Sequence, residues 1–103
     1  MKKIKILIPV YNDWQSVFKL LENINLVVLT LHFEFSIIIV NDGSIENRPE
    51  FPAYLDNLKS IQVINMRKNR GHARCNAAGL KHINDKEEFD YVIPMDGDGE
   101  DRP

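Results

Sequence analysis

The feature that most constrains the fold is a nearly continuous run of β-branched residues, Ile37 to Val40, in the segment that begins at Phe35. The run does not alternate apolar with polar side chains, so it is typical of a strand that is covered on both faces. Strands of this kind belong mainly to parallel sheets, which carry helices on each side. The run therefore predicts an α/β protein built on a parallel sheet.

The spacing of apolar residues predicts the remaining elements. Strands are expected at 4–10, 35–40, 61–66 and 89–95, and helices after Asp13, at Ala53 to Leu58 and from Ala73 to Asp85. The order β-α-β-α-β-α-β with right-handed crossovers defines the doubly wound class. We therefore predict a Rossmann-like, mostly parallel sheet with helices on both faces.

Size and composition limit the possible functions. The 103 residues suffice for one domain, 1–103, and a net charge of -2 argues against a surface that coats nucleic acid. Cys75 has no second cysteine to pair with, so we interpret it as a small helix residue in a reduced, cytoplasmic protein. The longest apolar region, 24–40, is interrupted by polar residues and does not meet the criterion for a membrane span.

Polar clusters follow every predicted strand. They are Tyr11 to Asp13, Asn41 to Ser44, Arg67 to Arg74 and Asp96 to Asp101. In doubly wound sheets, ligands bind outside the carboxyl ends of the strands, where the strand order reverses. The four clusters therefore predict one shared site at that edge.

The last cluster has the composition of a metal site. Asp96 and Asp98 are separated only by Gly97, and the backbone of a glycine can approach a ligand closely. Two carboxylates can hold Mg²⁺ or Mn²⁺ while substrate phosphates supply the remaining ligands. The alternative is a solvated acidic turn. An EF-hand is excluded, because its sixth position would be Asp101 instead of glycine.

The third cluster is suited to an anion. Arg67 and Arg74 supply positive charge, and the amides at the start of the helix after Gly71 supply donors and a favourable dipole. Asp42 could accept hydrogen bonds from a base or a ribose hydroxyl, and Pro9 to Tyr11 could form a wall beside the base. For Asp42, the alternative is a role in a tight turn.

Four stretches together resemble the signatures of the family-2 glycosyltransferases, which have the GT-A fold. They are Ile6 to Asn12, Ile39 to Ser44, Asn69 to His72 with Ala78 to Leu80, and Met95 to Asp98. The stretches occur in the family's order and span almost the whole chain. The Gly71-His72 pair and the acidic ending are similar to the branch that contains polyprenyl-phosphate sugar transferases.

The resemblance implies an inverting transferase that uses a UDP- or GDP-sugar as donor, with polyprenyl phosphate or a glycan as acceptor. It implies that the nucleotide pocket is lined by Pro9, Val10, Tyr11 and Asp13, and that Asp42 holds the base. Asp96 and Asp98 would form the family's metal- and ribose-binding motif. The general base and the acceptor-binding half are expected downstream of Pro103, so the chain would be the donor-binding half, from a parent attached to the cytoplasmic face of a membrane.

Two other functions remain open at the level of the sequence. A nucleotidyltransferase uses a related sheet and metal site, but it would carry a glycine-rich basic signature after the first strand, and Pro9 to Asn12 is not one. A non-catalytic nucleotide-binding fragment would leave a sheet edge uncovered, which predicts a homo-oligomer.

Overall fold

A parallel sheet forms the centre of the molecule. The computed structural model describes residues 1–43, 50–51, 55–68 and 71–95, and in these parts of the chain four strands form one sheet. The strands are β1 (Lys2–Val10), β2 (Phe33–Asn41), β3 (Ser60–Asn65) and β4 (Tyr91–Pro94). Their spatial order is β3-β2-β1-β4 and every pair is parallel. The prediction of a parallel α/β sheet is confirmed.

Helix α1 (Trp14–Val27) covers one face of the sheet and is followed by a 3₁₀ turn at Val28–Thr30. The carboxylate of Asp13 caps the helix by accepting a 3.2 Å hydrogen bond from the amide of Ser16. Apolar residues of α1 recur at helical spacing and pack on the side chains of β1 and β2 that face the same way. The first crossover thus follows directly from the sequence periodicity.

Helix α2 (His72–Lys86) covers the opposite face. Its buried residues Cys75 and Ile83 pack against Leu7, Ile38 and Val40 of the two central strands. Since β1 and β2 carry apolar side chains on both faces, the sheet is doubly wound. The expected Cys75 environment, a small buried position on a helix, is confirmed.

The short helix predicted at Ala53 to Leu58 is wrong in its described part, because residues 55–59 form turns and bends. Residues 52–54 lie outside the described residues. Leu55 and Leu58 are buried against the α1 side of the sheet, and the amide of Asn57 donates a 3.0 Å hydrogen bond to the Asn25 side chain. Tertiary contacts with α1 satisfy this segment, so it does not require helical hydrogen bonds of its own.

An apolar groove with a volume of about 440 Å³ lies between α1 and β4. It is lined by side chains that include Ile24, Val27, Phe33, Ile93 and Met95. On this face β4 is covered less than the central strands, and Ile93 is 38% exposed. No helix in the described ranges is both long and apolar enough to cross a lipid bilayer.

Candidate functional site

The carboxyl ends of the strands meet at one edge of the sheet. Val10 of β1 pairs with Asn41 of β2, and Asn41 pairs with Asn65 of β3. The amide of Met95, just after β4, donates a 2.8 Å hydrogen bond to the carbonyl of Leu7. Because β2 and β3 lie on one side of β1 and β4 on the other, the strand order reverses between β1 and β4, which is where doubly wound sheets bind ligands.

The loop between β1 and α1 forms one side of this edge. The amide of Asp13 donates to the carbonyl of Tyr11 at 2.8 Å, and the left-handed backbone of Asn12, with φ 64°, turns the chain into the helix. The side chains of Pro9 and Val10 are buried, whereas Tyr11 is 37% exposed. Of the residues predicted to line a nucleotide pocket here, Tyr11 and Asp13 therefore present accessible side-chain surface.

Asp42 lies at the end of β2, and only 1% of its surface is exposed. Its amide donates a 2.7 Å hydrogen bond to the carbonyl of Val10. Its carboxylate accepts a 2.9 Å hydrogen bond from the amide of Gly71 and a further one from the thiol of Cys75. Asp42 therefore joins β1, β2 and α2 at the predicted site.

The thiol of Cys75 has no exposed surface. Burial, together with the hydrogen bond to Asp42 and the charge of its carboxylate, raises the pKa of this thiol from 9.0 to about 12. Nucleophilic cysteines need an accessible thiolate, which this environment disfavours. Cys75 is a structural residue of α2.

The start of α2 forms the basic side of the edge. Gly71 precedes the helix with φ 88° and ψ 156°, a backbone region that glycine occupies almost alone. Arg67 and Arg74, on either side of it in sequence, are exposed, and the first turn of α2 contains no acidic residue. Helix amides without helical partners and nearby guanidinium groups are suited to a phosphate.

One family model decides the identity. The model described as Glycosyl transferase family 2 matches residues 5–103, which is nearly the entire chain.

The chain belongs to glycosyltransferase family 2.

The match confirms the resemblance drawn from the motifs, the enzyme class and the Rossmann-like fold of GT-A proteins. This family 2 glycosyltransferase carries its polar clusters as the sequence predicts, with Tyr11, Asp13, Asp42 and Gly71 following the ends of β1, β2 and β3.

The predicted metal pair of this family 2 glycosyltransferase, Asp96 and Asp98, lies outside the described residues together with Gly97. In the part of the chain that the structure describes, no group of three or more His, Cys, Asp or Glu side chains is arranged to hold a metal ion. The register of β4 beside β1 directs the chain after Met95 toward the same edge as Asp42. The metal site stays a prediction.

Sequence reasoning on this glycosyltransferase missed two contacts at the edge. The Asn41 side chain donates a 3.0 Å hydrogen bond to that of Asn65, which links the ends of β2 and β3. The bond from Cys75 to Asp42 was also missed. Its only sequence signal is that Cys75 follows Gly71 by four positions, one helical turn, which puts both near the same neighbour.

Proposed function

We propose that the chain binds the nucleotide-diphosphate sugar of a metal-dependent, inverting glycosyltransferase reaction. Family membership establishes sugar transfer in general, and family 2 enzymes take a nucleotide-sugar donor and an acceptor. The observation that carries the finer proposal is the meeting of the β1–α1 loop, Asp42 and the start of α2 at the edge where the strand order reverses.

In this proposal the diphosphate of the donor lies at the start of α2. The helix dipole and the exposed guanidinium groups of Arg67 and Arg74 favour its negative charge. The nucleoside lies beside Tyr11 and Asp13, above the buried Asp42. A phenol ring of partly exposed tyrosine offers an apolar surface to a base, and a carboxylate accepts hydrogen bonds from hydroxyl groups.

Asp96 and Asp98 are the residues that would hold a divalent cation, with Gly97 leaving room for the ligand. Paired carboxylates suit Mg²⁺ or Mn²⁺, which prefer oxygen ligands and bind substrate phosphates as well. A bound cation supplies charge stabilisation to the departing nucleoside diphosphate. Arg67 and Arg74 act on the same negative charge from the opposite side of the site.

We assign this chain to donor binding. The described polar groups at the edge suit a nucleotide and a diphosphate, and the general base belongs to a part of the parent enzyme after Pro103. The acceptor is proposed to be polyprenyl phosphate or a glycan, on the resemblance to that branch of the family. A cytoplasmic location fits the single, reduced thiol of Cys75.

Isothermal titration with UDP and with GDP, each in the presence of Mn²⁺, tests the proposal. We expect binding that is lost in EDTA and weakened about tenfold or more by Asp98→Ala, since a metal ligand is removed. Glu88→Ala is the matched control, because it removes one exposed carboxylate near the amino ends of the strands. Equal binding by wild type and Asp98→Ala, or no binding of either nucleotide by wild type, would overturn the proposal.

A further inference from the structure

Asp42 has an environment that is unusual for a residue expected to touch a ligand. Its side chain ends a central strand, yet only 1% of the residue is exposed. A carboxylate without access to water is costly unless other groups replace its hydration. The protein itself therefore has to supply the partners of this carboxylate.

Both identified donors to the carboxylate come from the first turn of α2. The amide of Gly71 lies 2.9 Å from Oδ2 of Asp42, and the thiol of Cys75 donates from one turn further along. The two donors are themselves linked, because the amide of Cys75 donates a 3.1 Å hydrogen bond to the carbonyl of Gly71. The start of α2 is thus attached to Asp42 at two points.

The backbone of Asp42 completes a three-way junction. Its amide bonds to the carbonyl of Val10 at 2.7 Å, so the residue also ties the end of β2 to the end of β1. Any change in the Asp42 carboxylate is therefore transmitted to the start of α2. That start is where the proposed function puts the diphosphate.

We propose that Asp42 and Cys75 are positioning residues of the donor site: the buried carboxylate, held by Gly71 and Cys75, fixes the first turn of α2 against the ends of β1 and β2. The inference rests on the proposed function in taking α2 as the diphosphate-binding element. It differs from the contact with the base that the family resemblance implies, since a carboxylate with so little exposed surface acts through α2.

The matched pair Cys75→Ala and Cys75→Ser tests the inference, because the two variants differ only by a hydroxyl donor. Binding of two probes is measured, UDP and base-free inorganic pyrophosphate, both with Mg²⁺. We expect Cys75→Ala to weaken the binding of both probes by a similar factor of about three to ten, and Cys75→Ser to recover most of the loss. A loss confined to UDP, in Cys75→Ala or in Asp42→Asn, would overturn the inference in favour of direct contact with the base.

Two readouts decide the junction without any nucleotide. Amide hydrogen exchange followed by NMR should show the Gly71 amide protected in wild type and faster in Asp42→Asn. Urea unfolding should show Cys75→Ser to be at least as stable as Cys75→Ala, because a buried hydroxyl is costly unless Asp42 accepts its hydrogen bond. Rapid exchange of the Gly71 amide in wild type, or a less stable serine variant, would overturn the junction. Failure of wild type to bind either probe would overturn the proposed function alone.

Discussion

Helix α2 touches the sheet most closely where Gly79 faces Leu7. A Cβ atom on Gly79 would collide with Cδ1 of Leu7 and would lie 3.1 Å from Cγ2 of Val40. Leu7 and Val40 are both wholly buried, so neither side chain has free space into which it could move. Glycine at this position therefore sets the distance between α2 and the sheet.

We expect Gly79→Ala to lower the free energy of unfolding by about 1–3 kcal/mol, because overpacking a buried contact outweighs the gain in helix propensity. Urea unfolding followed by circular dichroism measures the change. Asn84→Ala, at an exposed position of the same helix, is the control and should be neutral or slightly stabilising. A Gly79→Ala variant as stable as wild type would show that the helix can move away at no cost.

Asp13 stabilises the start of α1 through its bond to the Ser16 amide. Asp13→Ala should lower the free energy of unfolding by about 1 kcal/mol, since an orphan amide loses its acceptor. Asp13→Asn should retain most of the stability, because asparagine caps helices about as well. Thermal unfolding of the two variants checks this, and equal losses in both would contradict a capping role.

The ammonium group of Lys5 is held beneath the sheet by Glu87, at 3.2 Å, and both side chains are largely buried. Glu87 also accepts a hydrogen bond from the side chain of Gln62. Glu87→Gln removes the negative charge and leaves Lys5 without its counter-ion, so we expect a loss of about 1–3 kcal/mol in urea unfolding.

The neighbouring pair provides the control for this prediction. Glu88 and Lys3 form a shorter ion pair of 2.6 Å, but the Glu88 side chain is 85% exposed. Solvent screens exposed pairs, so Glu88→Gln should leave the unfolding midpoint unchanged. If the two variants had equal effects, burial would not be what gives the Lys5 pair its importance.

The raised pKa of Cys75 predicts a pH dependence of stability. Between the ordinary thiol pKa of 9.0 and the folded-state pKa of about 12, the unfolded chain releases the proton that the folded chain keeps. Stability is therefore lost as the pH rises above 9, by up to about 1.4 kcal/mol per pH unit. Because Cys75→Ala lacks this thiol, the stability difference between wild type and variant should shrink from pH 8 to pH 11. A constant difference would contradict the prediction.

The apolar groove between α1 and β4 predicts self-association. Val27, Phe33 and Ile93 line it and are each more than a third exposed, and two copies that meet there would remove this surface from water. Light scattering should give a mass that rises with concentration. Ile93→Lys should suppress the rise, whereas Asn84→Lys, which adds the same charge on α2, should not. A monomer at all concentrations would contradict the prediction.

Much of the fold could be predicted because the relevant signals are local. The run from Ile37 to Val40 and the helical spacing that follows Asp13 each depend on a few neighbouring residues, and both elements form where they were expected. The failed helix at Ala53 to Leu58 shows the limit. Its side chains are buried by contact with α1, and the pairing of Asn57 with Asn25 spans a separation that no local pattern reports.

The sequence by itself determined the family, the parallel α/β class and the grouping of polar residues after each strand, because motif spacing and apolar periodicity are properties of neighbouring residues. Only the tertiary structure decided the strand order, the close contact of Gly79 with Leu7, and the burial of Asp42 against Gly71 and Cys75. Burial and hydrogen-bond partners depend on segments that are distant along the chain and meet only when the sheet and α2 have packed together.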